Sequence, residues 1–228
     1  MSQPALSTGH PLTMNAQQRL KLRMIAPGVP AILIDDFFVD PHAAREYALG
    51  HAFKLSTTDL YPGSIAPTDA KDPTVDTIRQ HLVGIVNTHY LPRIPLTQFG
   101  EPIETVSWAD IDFATVNLHP RDLQPAQSIP HVDGAAIFGL VYLNPLEKGG
   151  TLFFDRIEGE DPEPADGYCN SSIPGFALKG KIDGVFNRLA LYPGFVYHTG
   201  EIAGDWITDG RRMEDPRLTM RAIFGERG

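Results

Sequence analysis

From Thr105 onward the chain is a succession of short β-branched and aromatic segments separated by turn residues, and this restricts its fold more than any other feature. Residues 111–118, 136–143, 151–154, 186–192, 195–199 and 218–224 each read as a strand. Short strands at this density predict a sandwich or barrel. The preceding part has a different character. Ala31-Ile32-Leu33-Ile34 reads as a buried strand. Asp40-Pro41 starts a helix that continues over residues 42–53. Asp72-Pro73 starts another, where Val75, Ile78, Leu82, Ile85 and Val86 recur at helical spacing to about His89. Residues 56–72 read as a loop. The expected organisation is a flexible segment over residues 1–30 and one domain over 31–228. Within that domain, helical support (31–104) packs outside a barrel core (105–228). Residues 155–185 form a long loop, acidic at Glu158, Glu160, Asp161, Glu163 and Asp166. Such loops are functional lids or solvated segments.

Charge and cysteine usage narrow the function. The formal net charge is -9 over 228 residues, with no Lys/Arg-rich run. That argues against nucleic acid, whose binding requires neutralisation of phosphates. Cys169 is the single cysteine, so there is no internal disulfide and no CxxC-type zinc site. No apolar run approaches the roughly 20 residues needed to cross a bilayer, and the first residues do not read as a signal peptide. A cytoplasmic protein, not bound to membrane, is expected. Exposed sheet edges would allow a homodimer.

Alternation in an extended strand puts residues i and i+2 on one face. His131-Val132-Asp133 therefore aims an imidazole and a carboxylate the same way, and His198 stands at the end of a later predicted strand. Two imidazoles and a carboxylate form the facial set that suits Fe(II) and leaves positions open for other ligands. Taken singly, an HxD pair is a weak signal, and a lone His is more often structural. Order and context strengthen it, because Arg217-Leu218-Thr219-Met220-Arg221 follows on the last strand. Arg217 and Thr219 share a face, and an arginine fork matches a carboxylate bidentately. Arg221 fits that description as well. His42, His51, His81 and His89 fall on the predicted helices, and His119 on a loop.

The stretch from Thr105 to Phe224 resembles the 2-oxoglutarate/Fe(II)-dependent oxygenase superfamily in its prolyl-4-hydroxylase-like branch, and a bacterial domain-of-unknown-function group near it. The collinear pieces are His131-Val132-Asp133, Gly149-Gly150-Thr151-Leu152-Phe153-Phe154, Tyr192-Pro193-Gly194 before His198, and Arg217-Leu218-Thr219. The resemblance implies a mainly β fold, a double-stranded β-helix (jelly-roll, cupin-like). It implies Fe(II) on His131, Asp133 and His198, and 2-oxoglutarate on Arg217 with help from Thr219, Asn117 and Tyr142. It implies hydroxylation of a small molecule, amino acid or peptide. The retained Asp133 separates the chain from halogenases, where a small residue replaces the carboxylate. One departure concerns the zone about ten residues after His198. Prolyl-4-hydroxylases commonly carry a lysine there, and this chain has Asp205-Trp206. The cation comes later, which leaves Arg217 and Arg221 as alternatives. Two His and one Asp also suit Zn(II) or Mn(II) in a cupin-like binding protein without oxygenase activity. A metal-free barrel that binds a partner is the third reading.

Overall fold

The computed structural model describes residues 9–56, 61–69, 71–98, 101–146, 148–203, 206 and 216–225. β1 (Arg19–Ala26) and β2 (Val29–Asp35) form an antiparallel hairpin, turning at Gly28 with φ +74°. The expectation of a flexible segment over residues 1–30 is therefore corrected over its second half. Leu20 and Leu22 alternate with Arg19, Lys21 and Arg23, a period-two pattern masked by its cations, and the two leucines pack on the core. β1 is the edge of its sheet, and its cationic outer side chains disfavour pairing with a second β1.

Both aspartates start helices as expected. Asp40 accepts from the Ala43 amide at 2.9 Å, and α1 runs Pro41–Leu49. It stops short of the expected Phe53 because Gly50 takes the C-cap position. β3 (Lys54–Leu55) and β4 (Gly63–Pro67) follow. β4 lies in what reads as loop, since Pro62-Gly63 looks like a turn. Here the glycine serves close approach: a Cβ at Gly63 would lie 1.8 Å from the Thr115 carbonyl oxygen. Asp72 accepts from the Thr74 amide at 2.7 Å, and α2 spans Pro73–Ile85. It passes into a π-helical turn over Val86–Tyr90. The Tyr90 hydroxyl donates to the Pro30 carbonyl at 2.6 Å and ties this turn to β2.

After the short β5 (Thr97–Gln98) and β6 (Glu101–Pro102) come the barrel strands: β7 (Trp108–Val116), β8 (Ile137–Tyr142), β9 (Thr151–Arg156), β10 (Phe176–Ile182), β11 (Leu189–Pro193), β12 (His198–Gly200) and β13 (Arg217–Gly225). The large sheet has the order β1-β2-β11-β8-β13-β7-β4-β3, and the smaller one β10-β9-β12. An isolated bridge between His131 and His198 extends the small sheet beyond β12. From β7 onward the chain crosses between the two sheets, with β7, β8, β11 and β13 in the large one and β9, β10 and β12 in the small one, and all pairs are antiparallel. This is a double-stranded β-helix. The helices pack outside it, as the sequence predicts, but residues 31–104 also contribute β2, β3 and β4 to the large sheet.

β13 divides the protein into two compartments. Leu218, Met220, Ala222 and Phe224 face the helices, packing with Ile78 and Leu82 of α2. Arg217, Thr219 and Arg221 face the interior between the sheets. There Phe138, Tyr142, Phe153 and Tyr192 form a second core.

The expected loop over 155–185 is shorter than the sequence suggests. β9 continues to Arg156, and β10 pairs with it from Phe176↔Arg156 to Ile182↔Thr151. A register shift between Leu178 and Gly180 breaks the alternation that would have revealed β10. The remaining connection is fastened to the barrel near its end. Thr199 Oγ1 donates to the Cys169 carbonyl at 2.9 Å, and Asn170 bonds the Ile202 backbone at 2.6 and 3.0 Å.

Asp35 ties β2 to the start of β11 through Arg188 at 2.6 Å. The hydrogen bond from Arg188 lowers its carboxyl below the ordinary 3.8; partial burial opposes this and Lys21 reinforces it. A depressed folded-state value contributes stability above about pH 4 that is lost as pH falls further. Asp35→Asn is expected to flatten the fall in stability between about pH 4 and pH 2. Urea titrations across that range read it, and an unchanged slope would contradict the assignment.

Candidate metal centre

His131 and His198 sit directly opposite each other, exchanging backbone hydrogen bonds of 3.1 and 2.9 Å. Opposed residues in an antiparallel pair project side chains to one face, and the two rings lie 4.8 Å apart between centroids. Asp133 is brought to the same face by alternation, with Val132 45% exposed on the other. The Asp133 amide donates to the Gly194 carbonyl at 2.8 Å, which fixes its backbone. One ligand atom from each of the three residues lies within 4.8 Å of the others.

The hydrogen bonding at His198 shows what this group can hold. Its Nδ1 lies 2.8 Å from the Val196 carbonyl, which can only accept, so the Nδ1 proton is committed there. In a neutral ring Nε2 then presents a lone pair. It faces Asp133 Oδ2 at 3.2 Å. At that distance either a second ring proton donated to Asp133 or a cation held between the two groups satisfies both. Two ligands about 2.1 Å from a metal and at right angles to it would lie about 3 Å apart. The geometry therefore fits a divalent cation, with the Val196 carbonyl setting the tautomer from behind. Burial raises the Asp133 carboxyl, but the hydrogen bond from His198 and the charges of His198, His131 and Arg221 outweigh it, and the net shift is downward. The group is held as a carboxylate, the form a metal needs.

The triad opens into a cavity of about 310 Å³, bordered also by Arg217, Thr219, Arg221 and Tyr192. The two arginines differ in what already engages them. Arg221 pairs with Asp112, its cross-strand neighbour on β7, through two bonds of 2.7 Å. Arg217 is 4% exposed and donates to two backbone carbonyls, Gly149 at 2.8 Å and Gly150 at 3.1 Å. Among the described residues no carboxylate pairs with it. Gly149 makes this contact possible, having φ +79° and lying where a Cβ would meet Trp206 at 2.8 Å and Arg217 at 3.0 Å. Thr219 beside it is buried, and its hydroxyl has no hydrogen-bond partner among the described residues. Asp205, which the sequence comparison singled out, lies outside the described residues.

Asn117 and Tyr142 do not border the cavity. Asn117 Nδ2 donates to Ser64 Oγ at 3.1 Å. Tyr142 is fully buried behind the cavity wall, its hydroxyl 2.8 Å from Thr151 Oγ1 and its ring 5.9 Å from the Arg217 guanidinium. The expectation that they touch a co-substrate directly is thus not matched by a place in the cavity lining. Neighbouring hydroxyls take Asn117 Nδ2 and the Tyr142 hydroxyl, while Asn117 Oδ1 is buried without a hydrogen-bond partner among the described residues. None of the helical histidines reaches the cavity, and His119 caps a short 3-10 turn, its Nδ1 accepting from the Arg121 amide at 3.2 Å. Sequence reasoning missed Thr151 and Tyr192 as cavity-lining residues. Both lie in quoted motifs, and the period-two pattern of β11 (Ala190, Tyr192) would have placed Tyr192 on the inner face.

Fold and site together define a double-stranded β-helix protein with a His-x-Asp…His group at the mouth of an arginine-bearing cavity. The sequence matches the family of unknown function DUF6445 over residues 16–161 and 155–224, and the chain belongs to that family. A comparison with curated proteins finds no match. Among solved structures it is similar to a prolyl hydroxylase from Trichoplax adhaerens in complex with a hypoxia inducible factor peptide. That pair has 16% identity and a TM-score of 0.45, over 85% of this chain and 82% of the other. It is similar also to the epimerase SnoN of nogalamycin biosynthesis in complex with Fe3+ and alpha ketoglutarate, at 18% identity and a TM-score of 0.45 over 81% and 72% of the two chains. A third is the carbocyclase SnoK of the same biosynthesis, at 13% identity and a TM-score of 0.43 over 85% and 78%.

Proposed function

We propose that this protein is an Fe(II)- and 2-oxoglutarate-dependent oxygenase that hydroxylates a small molecule, amino acid or peptide. The observation that carries the reading is one cavity bordered by both a facial His131–Asp133–His198 group and a buried guanidinium, Arg217, that no described carboxylate neutralises. An unpaired buried cation is costly unless an anion joins it. A dicarboxylate that chelates a metal at one end would meet Arg217 and the Thr219 hydroxyl at the other. Arg221 is the weaker candidate for that role because Asp112 already occupies its fork. Bound Fe(II) would supply the activation of oxygen, and the chain supplies orientation and a dry enclosure. Phe138 and Leu140 form the apolar part of the cavity wall, which keeps water from the reacting centre. The single buried thiol, Cys169, suits a reducing cytoplasm.

Anaerobic addition of Fe(II) and 2-oxoglutarate to the purified protein is expected to produce the weak visible charge-transfer absorption of the chelate. His131→Ala is expected to abolish it. A wild-type protein without that band would refute the oxygenase reading and leave a non-redox metal-binding barrel in its place.

A further inference from the structure

We infer that the primary substrate is an extended polypeptide, which adds as a strand to the free edge of the small sheet at Val132. The inference rests on the oxygenase reading above and narrows its substrate class. His131 exchanges both of its backbone hydrogen bonds with His198, which places it beyond β12 at the margin of the small sheet. In an antiparallel pair the next residue turns its N–H and C=O the opposite way. For Val132 that direction is the open edge, and among the described residues neither its N–H nor its C=O has a partner. Such an edge is a template for a further strand. Unlike the outer residues of β1, Val132 carries no charge to discourage one. The edge also lies at the cavity, which Val132 borders with an exposed apolar side chain. Exposure of the triad rises toward it, from 6% for the His198 side chain to 26% for Asp133. Gly134 follows, with open space where a Cβ would stand.

Pairing here would deliver a side chain to the metal. Cross-strand neighbours project to the same face. A peptide residue opposite Val132 would therefore point outward with it, away from the triad. The residues before and after it would stand opposite His131 and Asp133 and point as these do. Main-chain bonds hold the peptide, and alternate side chains enter the site. The cavity's size agrees. Its volume of about 310 Å³ lies at the low end for a single drug-sized ligand, and the co-substrate fills part of it. The remainder suits one side chain, with the chain that carries it outside. In the reaction a C–H bond of that side chain becomes C–OH. One atom of O₂ enters it, and the other enters succinate as 2-oxoglutarate loses CO₂.

The test offers capped peptides of mixed sequence, about six residues long like an ordinary strand, and the same residues singly as N-acetyl amides. With Fe(II), 2-oxoglutarate and oxygen, mass spectrometry is expected to find peptides heavier by one oxygen atom. The single residues, which lack a strand to pair, should give at least about 10-fold less product. In the best peptide, N-methylation of one amide next to the hydroxylated residue is expected to lower kcat/KM about 10-fold. N-methylation of the hydroxylated residue itself should leave it within about 2-fold, because that N–H faces away from the edge. Binding has a readout apart from turnover. When the peptide joins protein loaded with Mn(II) and 2-oxoglutarate, hydrogen exchange at the Val132 amide is expected to slow about 10-fold. Exchange at His131, already bonded to His198, should not change. Equal product from peptides and single residues, or none from either while the charge-transfer band still forms, would overturn the peptide class and leave the oxygenase reading standing. Unchanged exchange at Val132, or equal effects of the two methylations, would overturn the edge pairing. A wild-type protein without the band would overturn both readings.

Discussion

Asp133→Ala is expected to lower divalent-metal affinity by more than about 100-fold, beyond the 10–100-fold typical of residues that only orient ligands. Asp133 is the one anion of the triad, and its carboxyl is held ionised by its imidazole neighbours despite burial. Without it the cation would meet two neutral rings and no charge to balance its own. The effect has a signature independent of turnover. A metal at 100 times its Kd stabilises a protein by about 2.7 kcal/mol, which for a chain of this size is roughly 5–10 °C in Tm. That rise, measured by thermal denaturation with and without Mn(II), is expected in wild type and absent in Asp133→Ala. The ligand-free proteins should differ far less, since the carboxylate's main partner in the fold is a single contact to His198. A variant that keeps the metal-induced rise would remove Asp133 from the site.

Arg217→Met is expected to weaken 2-oxoglutarate binding by more than about 100-fold, because a bidentate charged contact to a carboxylate is among the stronger hydrogen-bonding arrangements. It also carries a cost in stability. Arg217 bonds the carbonyls of Gly149 and Gly150, and hydrogen bonds to a charged group contribute about 1.5–3 kcal/mol each. Loss of both, partly offset by release of a buried charge, gives an expected destabilisation of about 2–4 kcal/mol. Denaturant unfolding reads the second effect and calorimetry on the Mn(II)-loaded protein reads the first. The double substitution Asp112→Asn with Arg221→Gln removes the neighbouring ion pair as a unit and is expected to leave co-substrate affinity essentially unchanged. If that double variant loses binding and Arg217→Met retains it, the two arginines have been assigned in the wrong order.

The centre was legible because its logic is local. Alternation alone puts His131 and Asp133 on one face, and turn residues mark where the strand ends near His198. The difference in partners between Arg217 and Arg221 was not legible. It depends on Asp112, which lies far away in the chain and reaches Arg221 only through the pairing of β7 with β13. Tyr192 was hidden for a related reason, since an inward-facing tyrosine on a buried strand reads as ordinary core until the cavity it borders is seen. The strands that escaped notice broke the simple rule of hydrophobic alternation. β1 carries cations on its outer face, β4 begins at Gly63 directly after Pro62, and β10 contains a register shift beside Gly180. Tyr142 lies on its expected strand and Asn117 just past the end of β7, but sequence does not show which neighbouring group a polar atom meets.

β13 carries on alternate residues both the wall of the cavity and the floor on which the helices rest. A single inserted or deleted residue upstream of Arg221 would swap these two sets, turning arginines toward the helices and leucine toward the metal. Strand length here is therefore under tighter constraint than side-chain identity. Conservative replacements within either set should be absorbed, whereas any change of reading frame along the strand would cost the protein its architecture and its chemistry together.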